Sequence, residues 1–578
     1  MPFSGDDVMN MHRAWTMPAW DLFKAFVTFA PPGIRPVGAL IYRAVYAVFG
    51  FHALPLHWVI WCGLMMNLYL AWRLFRALGA TDAAARVACL LLAMHQMVRD
   101  LSFNAGTLYD TFCFSLYVAV LLVYLAARKR GVLRFGSMVL LAVLTTLALN
   151  TKEMAASIPI ALLIWELLFH WPRNVWRWPL AEGRGVLLTG TIVAIFTAVH
   201  AVAQGPMSGA DAYHPVLTFA RWSETTGHYL ALLFNSEDAY TMVTIAIGYT
   251  AILAVAVLAR SRVAVFCALW FPVGLLPISF LPSRPGYALY IPMLLWCLLA
   301  GMTLTRITMG NRIAEMLLLV AVACGMTAAN RHPRVPLLAV EDSPLARTAS
   351  QFAQLYPKLN RNTKMLFLND AFPSDVFDLL FTLQLNYHDP TLSIHRLKAD
   401  ENQHPPLSEL PHYDHIFTYA HGSYIELDNT DTARTVKDRT MRGQSLGDYI
   451  AINRDYVEPH FVKDVLDGDG DYRWTAAQPE FRFYVRSITS RKLHARFIVS
   501  GDTLRQTGPC RIRWFVNDAE VAASSHGEPG EQLFTTEIAE RILRKDAENR
   551  VRMVIENPYI APADKQAMGV LMMEIGFQ

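Results

Sequence analysis

Thr107 to Ala126 read TLYDTFCFSLYVAVLLVYLA, twenty residues with one charge, Asp110, and the cluster Arg128-Lys129-Arg130 soon after. A helix of that length spans about 30 Å, the thickness of a bilayer's hydrocarbon core. The stretch reads as a membrane-crossing helix. Similar apolar runs occur near Pro55 to Ala77, Ala84 to Val98, Phe135 to Asn150, Ala155 to Trp171, Val186 to Ala203, Met242 to Ala259, Val263 to Leu281, Tyr287 to Leu304 and Ile313 to Ala328. The pattern predicts an α-helical polytopic membrane bundle of about ten helices over residues 1–330. Gly33 to Phe49 (GIRPVGALIYRAVYAVF) mixes arginine with aromatic residues and suits a helix lying along the interface.

The 578-residue chain is too long for one core. Its 53% apolar composition and mean hydropathy of +0.26 average two materials, because charged residues are sparse before Asn330 and frequent after it. A net charge of +3, with no basic run, argues against a nucleic-acid partner. Six of the seven cysteines lie in apolar stretches, leaving Cys510 alone in the tail, so neither a disulfide framework nor a CxxC metal pair is expected.

Beyond the bundle the pattern shortens. KMLFLND (Lys364 to Asp370) is an apolar strand ending in polar residues, a helix-like segment runs from Ser374 to Leu385, and HIFTYA is a second strand. That order predicts a small α/β domain over residues 331–445. LNDAFPSD lacks the glycines of a phosphate loop and reads as structural. From Tyr449 onward, FRFYVRS, LHARFIVS, CRIRWFVN, VRMVIEN and GVLMMEIGF alternate between turn residues, which predicts a jelly-roll-like β-sandwich over residues 446–578. DGDGDYRW (Asp467 to Trp474) spaces its carboxylates alternately but lacks the later glutamate of a calcium loop, and reads as a turn.

Orientation follows from the basic loops. Arg73 and Arg76, Arg128 to Arg130 with Arg134, Arg173, Arg177 and Arg184, Arg260 and Arg262, and Arg306 with Arg312 all fall in one alternating set, which is then cytoplasmic. The N-terminal segment and everything after Ala329 belong to the other set. The expectation is a multi-pass protein of a bacterial inner membrane with its tail domains in the periplasm. The outer set holds few charges, at or near helix ends: Asp6, Asp7, Arg35, Arg99, Lys152, Glu153 and Arg284. Ionisable groups near a membrane are costly unless paired or hydrated, so their gathering on one side predicts a polar cavity opening outward. For any single cation, interfacial anchoring is the alternative.

The acidic pair lies in FSGDDVMNMHRAW, and IRPVGALIY, AMHQMVRDLSFNAGTLYDTFCF, LNTKEMAASIP and LPSRPGYALYIP follow in that order. Together these segments resemble the GT-C class of polytopic glycosyltransferases, which includes protein O-mannosyltransferases, aminoarabinose transferases and tetratricopeptide-linked O-mannosyltransferases. Asp6-Asp7 is similar to the acidic motif of the family's first outer loop, and Arg35-Pro36 to the start of its interfacial helix. Lys152-Glu153 is similar to its S-K-E segment, with Thr151 in place of serine. His95 lies in a segment similar to a common His-Pro stretch, with Gln96 where proline is expected. Arg284 and Tyr290 lie in a segment similar to the late R-x-L-Y-x-P stretch, with two extra residues after the arginine. Family members carry a transmembrane helix before the acidic loop, whereas five residues precede Asp6 here. Either such a helix precedes Met1 or the protein lacks it, and without it the acidic pair is expected to be poorly held against the bundle.

The resemblance implies transfer of a sugar from a polyprenyl-phosphate-linked donor to an extracytoplasmic protein, lipid or surface glycan, with inversion, by a hexosyl- or pentosyltransferase. Such a reaction needs a base for the acceptor's hydroxyl proton. The candidate is Asp6, with Asp7 orienting it or joining a divalent-metal site, or the two in reversed roles. The departing phosphate needs cations, for which Arg35, Lys152 and Arg284 are candidates, with Glu153 holding Lys152 and with His95, Arg99 and Tyr290 in support. Plainer readings stand beside these: a helix cap for the acidic pair, packing for His95, an interfacial ion pair for Arg99 with Asp100. His214, Glu224 and His228 lack zinc spacing. A transporter or flippase of lipid-linked saccharides is the rival function, but it predicts inverted halves and no hydropathy repeat is visible. A catalytically inactive, glycan-binding membrane scaffold is the third. Transfer that depends on Asp6 separates the first reading from the other two.

Overall fold

A computed structural model describes residues 3–578 apart from 32, 132, 173, 175, 204–214, 235, 237–238, 259, 331–342, 374–375, 398–411, 421, 428–445, 453–456, 458–459, 467–471, 486, 489–490 and 562–566. The chain forms two compact units, Met1–Pro357 with Phe377–Pro390, and Lys358–Val376 with Thr391–Gln578.

The first unit is helical. Three helices, α1 (Gly5–Thr16), α2 (Ala19–Thr28) and α3 (Pro36–Phe49), come before α4 (Ala53–Ala77) and α5 (Asp82–Met94). The short α6 (Arg99–Phe103) leads into α7 (Leu108–Lys129), α8 (Phe135–Leu149), α9 (Ile158–Phe169) and α10 (Arg184–Val202). Then come α11 (Phe219–Leu233), α12 (Met242–Leu258), α13 (Arg262–Leu275), α14 (Leu294–Thr305) and α15 (Arg312–Ala329). Each apolar run read from the sequence corresponds to one of these helices. Ala53–Ala77, Ala105–Lys129, Arg184–Val202 and Arg312–Ala329 are long and apolar enough to cross a bilayer. The segments Pro36–Phe49, Phe135–Leu149, Met242–Leu258, Arg262–Ile278 and Leu294–Thr308 are apolar but shorter.

The shortening has a local cause. Several runs end in 3-10 turns: Gln96–Val98 after α5, Glu153–Ser157 before α9, Leu276–Ile278 after α13 and Gly286–Leu289 before α14. Proline stands in or just before the last two, where its missing amide stops an α-helix from continuing. Gln96–Val98 packs on Gly286–Leu289, and Glu153–Ser157 on Leu276–Ile278, so the irregular ends meet. Non-helical backbone at membrane depth is tolerated where it is buried in protein or lines a polar cavity. Lys152, Glu153 and Arg284 stand at or beside these turns.

α11 was not among the apolar runs read from the sequence, because Arg221, Glu224 and His228 depress its hydropathy. Thr218 caps it by accepting the Arg221 amide at 3.2 Å, and Thr225, Thr226, Tyr229 and Leu230 are buried. The first unit also contains α16 (Pro344–Leu355) and α17 (Asp378–Asn386).

Among the described residues the second unit holds two larger sheets and a two-stranded ladder. In the first, β1 (Lys364–Phe367) runs parallel to β2 (Ser393–Arg396) and β3 (His415–Ala420), and β4 (Ser423–Glu426) completes the order β2-β1-β3-β4. Of the LNDAFPSD stretch after β1, Leu368 to Pro373 are described, and Ser374 and Asp375 lie outside the described residues. Arg396 grips both carboxylate oxygens of buried Asp370 at 2.8 Å, and Asp370 in turn accepts the Phe372 amide.

The second sheet contains β5 (Tyr449–Ala451), β6 (Phe461–Val465), β7 (Arg473–Val485), β8 (Lys492–Val499), β9 (Cys510–Val516), β10 (Ala519–His526), β11 (Gly530–Glu537) and β12 (Ala547–Ile555). The ladder β13 (Tyr559–Ile560) with β14 (Ala567–Met568) stands apart, and β15 (Leu571–Phe577) returns to the main sheet. The order β10-β9-β12-β7-β15-β8-β11 is continuous, with β5 on β15 and β6 on β7. The long β7 pairs with β15 at Trp474 and with β12 from Glu480 onward, so it passes from one layer to the other. Trp514 of β9 stacks on Phe534 of β11 at 4.2 Å, closing the layers on one apolar core as a sandwich. Asp467 to Asp471 of the DGDGDYRW turn lie outside the described residues.

Candidate active site

The acidic pair opens α1, and its two members face differently. Ser4 caps the helix: its hydroxyl accepts the Asp7 amide at 3.3 Å, while Asp7 Oδ2 accepts the Ser4 amide at 2.8 Å. Tyr42 of α3 donates to Asp7 Oδ1 at 3.3 Å and to the Ala105 carbonyl at 2.9 Å. Asp7 is 1% exposed, and burial pushes its carboxyl up to about 6 against the lowering effect of the Ser4 bonds. Asp6 is exposed and lies against the backbone at Gly106, where an added Cβ would stand 3.1 Å from its own. Among the described residues no hydrogen bond or ion pair holds its carboxylate. Asp7 is therefore well anchored, contrary to the expectation of a loosely held segment, and Asp6 precedes it on the same helix. The cap, a buried tyrosine and the apolar face of Val8, Met11 and Ala14 supply the grip.

From Asp7 a chain of aromatic and charged groups runs to the proposed phosphate cations. The Tyr42 ring lies 6.1 Å from that of Tyr109, and the Arg35 guanidinium sits 5.2 Å from the Tyr109 centroid. Gly38 permits this approach, since a Cβ there would fall 2.1 Å from the Tyr109 ring. Arg35 bonds both Glu153 oxygens at 3.0 Å. Burial alone would raise the Glu153 carboxyl, but the charges of Arg35 and Lys152 outweigh it and hold it down to about 2. Lys152 bonds both oxygens of Asp110 at 2.7 Å, and its ammonium lies 4.8 Å from the Tyr287 ring centroid. Arg284 is half-buried three residues before Tyr287, with its amide donating to the Tyr229 hydroxyl at 3.1 Å. The structure thus brings Asp7, Arg35, Glu153 and Lys152 into one connected neighbourhood, with Asp6 at its edge and Arg284 three residues before Tyr287.

Residues 31–202 match the family model of dolichyl-phosphate-mannose-protein mannosyltransferases. The GT-C resemblance therefore extends through the helices from α3 to α10, beyond a few short motifs. The match includes Arg35, Asp110, Lys152 and Glu153, begins after the acidic pair and ends before Arg284. Among solved structures the chain is similar to ArnT of Cupriavidus metallidurans in the apo state, at 14% identity over 79% of this chain and 92% of that one, with a TM-score of 0.46. It is also similar to ArnT of the same organism bound to undecaprenyl phosphate, at 14% identity over 75% and 95%, with a TM-score of 0.42. The Archaeoglobus fulgidus oligosaccharyltransferase in its apo form gives 10% identity over 98% and 92%, with a TM-score of 0.40. Likeness at this level does not extend to chemistry. No curated protein matches the sequence.

The supporting residues named from the sequence fare unevenly. His95 donates from Nε2 to the Leu233 carbonyl at 2.9 Å, tying α11 to the end of α5, and accepts the Met97 amide at Nδ1 within its own turn. Tyr290 is buried and stacks on Phe114 at 4.2 Å. The side chains of Arg99 and Asp100 lie outside the described residues. His228 turns toward the Arg284 carbonyl, Glu224 pairs with Arg221 at 3.2 Å, and His214 lies outside the described residues.

Both Asp7 oxygens already accept protein donors, and among the described residues no three His, Cys, Asp or Glu side chains converge. Sequence reasoning missed Asp110, Tyr42, Tyr109 and Tyr287. The signal for Asp110 was present, since a lone acid inside a membrane run is costly and calls for a partner.

Proposed function

We propose that the chain is a membrane glycosyltransferase that moves a sugar from a polyprenyl-phosphate-linked donor to an acceptor hydroxyl at the outer face of a bacterial inner membrane. The observation that carries this reading is the placement of an exposed carboxylate, Asp6, at the edge of the neighbourhood that holds Arg35 and Lys152. In the reaction, the acceptor oxygen bonds to the anomeric carbon from the side opposite the phosphate, and the carbon–oxygen bond to phosphate breaks, inverting the centre. Asp6 takes the hydroxyl proton. Asp7, fixed by Ser4 and Tyr42, holds α1 so that Asp6 keeps its place. The departing lipid phosphate gains charge as the bond breaks, and fixed cations stabilise that charge most where water is scarce. Glu153 and Asp110 hold Arg35 and Lys152 in preset positions, so little reorganisation accompanies the step. The basic loops on the opposite side support a periplasmic site. The acceptor is a protein, a lipid or a surface glycan.

The test is transfer of a labelled sugar from a polyprenyl-phosphate donor by purified full-length protein. Asp6→Asn should lower transfer by roughly a hundredfold to ten-thousandfold while the protein stays folded. Wild-type transfer by that variant would remove Asp6 from the base role and leave the reading without its main support.

A further inference from the structure

The acidic pair rides on α1, and α1 has a second neighbour besides α3. His12 Nε2 donates to Gln384 Oε1 of α17 at 2.6 Å, and the His12 ring lies 4.6 Å from that of Phe381. Gln384 is itself steadied by donating to the Pro390 carbonyl at 3.1 Å. At the far end of α1, the Trp15 ring lies 5.0 Å from His388 and 5.4 Å from Tyr46 of α3. Tyr46 stacks on His388 at 5.1 Å, donates its hydroxyl to the Leu385 carbonyl at 2.6 Å and accepts from His388 Nδ1 at 3.0 Å. At the near end, a Cβ on Gly5 would stand 2.7 Å from the Asp378 carboxylate, one residue before Asp6. α17 therefore meets α1 along its whole length.

The origin of this contact in the chain is unusual. α17 is flanked in sequence by β1 and β2, strands of the second unit, yet Phe377–Pro390 belongs to the first. Helices as short as α1 are marginal without tertiary contacts. One that must hold a base to within a fraction of an ångström needs support on more than one face.

We propose that Phe377–Pro390 is a positioning brace for α1, which fixes the station of Asp6 and Asp7. Its consequence for catalysis rests on Asp6 being the base. Tyr46, His388 and Gln384 act here as positioning residues, with no part in the chemical step.

The test uses the full-length protein in detergent or a lipid disc. In the double variant Tyr46→Phe with His388→Ala, amide hydrogen exchange across residues 5–16 should quicken by about tenfold or more, while α4 to α9 exchange as before. kcat should fall about tenfold to a hundredfold with donor KM little changed, since a small misplacement of a catalytic group acts on the step rather than on binding. His388→Gln, which keeps a donor, should recover part of the loss. Tyr46→Phe alone is the milder variant should the double one unfold. A disulfide formed between His12→Cys and Gln384→Cys should leave transfer intact. Unchanged exchange of α1 in a folded double variant would overturn the brace. So would a crosslink that stops transfer until it is reduced, because α17 would then have to move. If the wild-type protein transfers no sugar, the transferase reading fails, and the exchange measurement alone still decides the brace.

Discussion

The helical unit and the sandwich bury different things. Within the helices, Lys152 pairs with Asp110 and Arg128 with Glu166, all with side chains 10% exposed or less. In the sandwich the core is built from residues such as Phe481, Phe483, Phe497, Trp514 and Phe577. Among the described residues of 446–578, no Asp, Glu, Lys or Arg is buried. Its ion pairs, such as Arg513 with Glu556 and Arg550 with Glu480, lie at the surface, where each contributes about 1 kcal/mol at most. Burying two charges costs several kcal/mol per ion, and replacing such a pair with apolar residues is often neutral or stabilising. A fold has no need of the Lys152–Asp110 pair to be stable. The helical unit keeps it beside Glu153 and Tyr287, residues of the proposed site.

The largest effect expected from this contrast is at Asp110. Asp110→Ala leaves the Lys152 ammonium buried without its carboxylate, which should cost about 3–5 kcal/mol of stability and lower transfer about a hundredfold. Thermal unfolding in detergent together with the transfer assay measures both, and a variant that loses neither would erase the distinction drawn above. Trp514→Ala should remove a similar 3–5 kcal/mol, but from the sandwich, with kcat for transfer unchanged. Loss of transfer in step with unfolding of the sandwich would show that the apolar unit shares in the chemistry.

The smallest effect concerns Asp7 and pH. Its folded carboxyl titrates near 6, above the ordinary value of 3.8, so protonated Asp7 contributes stability that is full below 3.8 and lost as pH rises through about 6. Activity should run the other way, because both groups facing Asp7, the Ser4 amide and the Tyr42 hydroxyl, donate to the ionised form. Transfer should therefore fall about tenfold per pH unit below about 6. Asp7→Asn should abolish that limb. A limb unmoved in Asp7→Asn would assign it to another group.

Much of the architecture is legible in the sequence. The apolar runs became helices, and the five β-rich segments became strands β7, β8, β9, β12 and β15, because hydropathy and alternation are local properties that burial acts on directly. α11 was missed for the same reason, since three polar residues outweigh its buried face when hydropathy is averaged. The site was legible only as a set of charges near outer helix ends. His95 looked like a supporting residue but serves α11. Asp110 stood in plain view within its membrane run, and its partner lies 42 residues away.

The sequence by itself determined which segments enter a membrane or pair as strands, and that ionisable residues gather toward one side, because these follow from composition and period along the chain. Only the tertiary structure decided which charge meets which. Adjacent residues differ by about 100° around a helix, so Asp7 turns to the bundle and Asp6 away from it. The grip of α17 on α1, through His12 and Gln384 at a separation of 372 residues, depends on how helices cross and rotate against one another. No local pattern encodes that geometry, since it is set by packing of the whole unit.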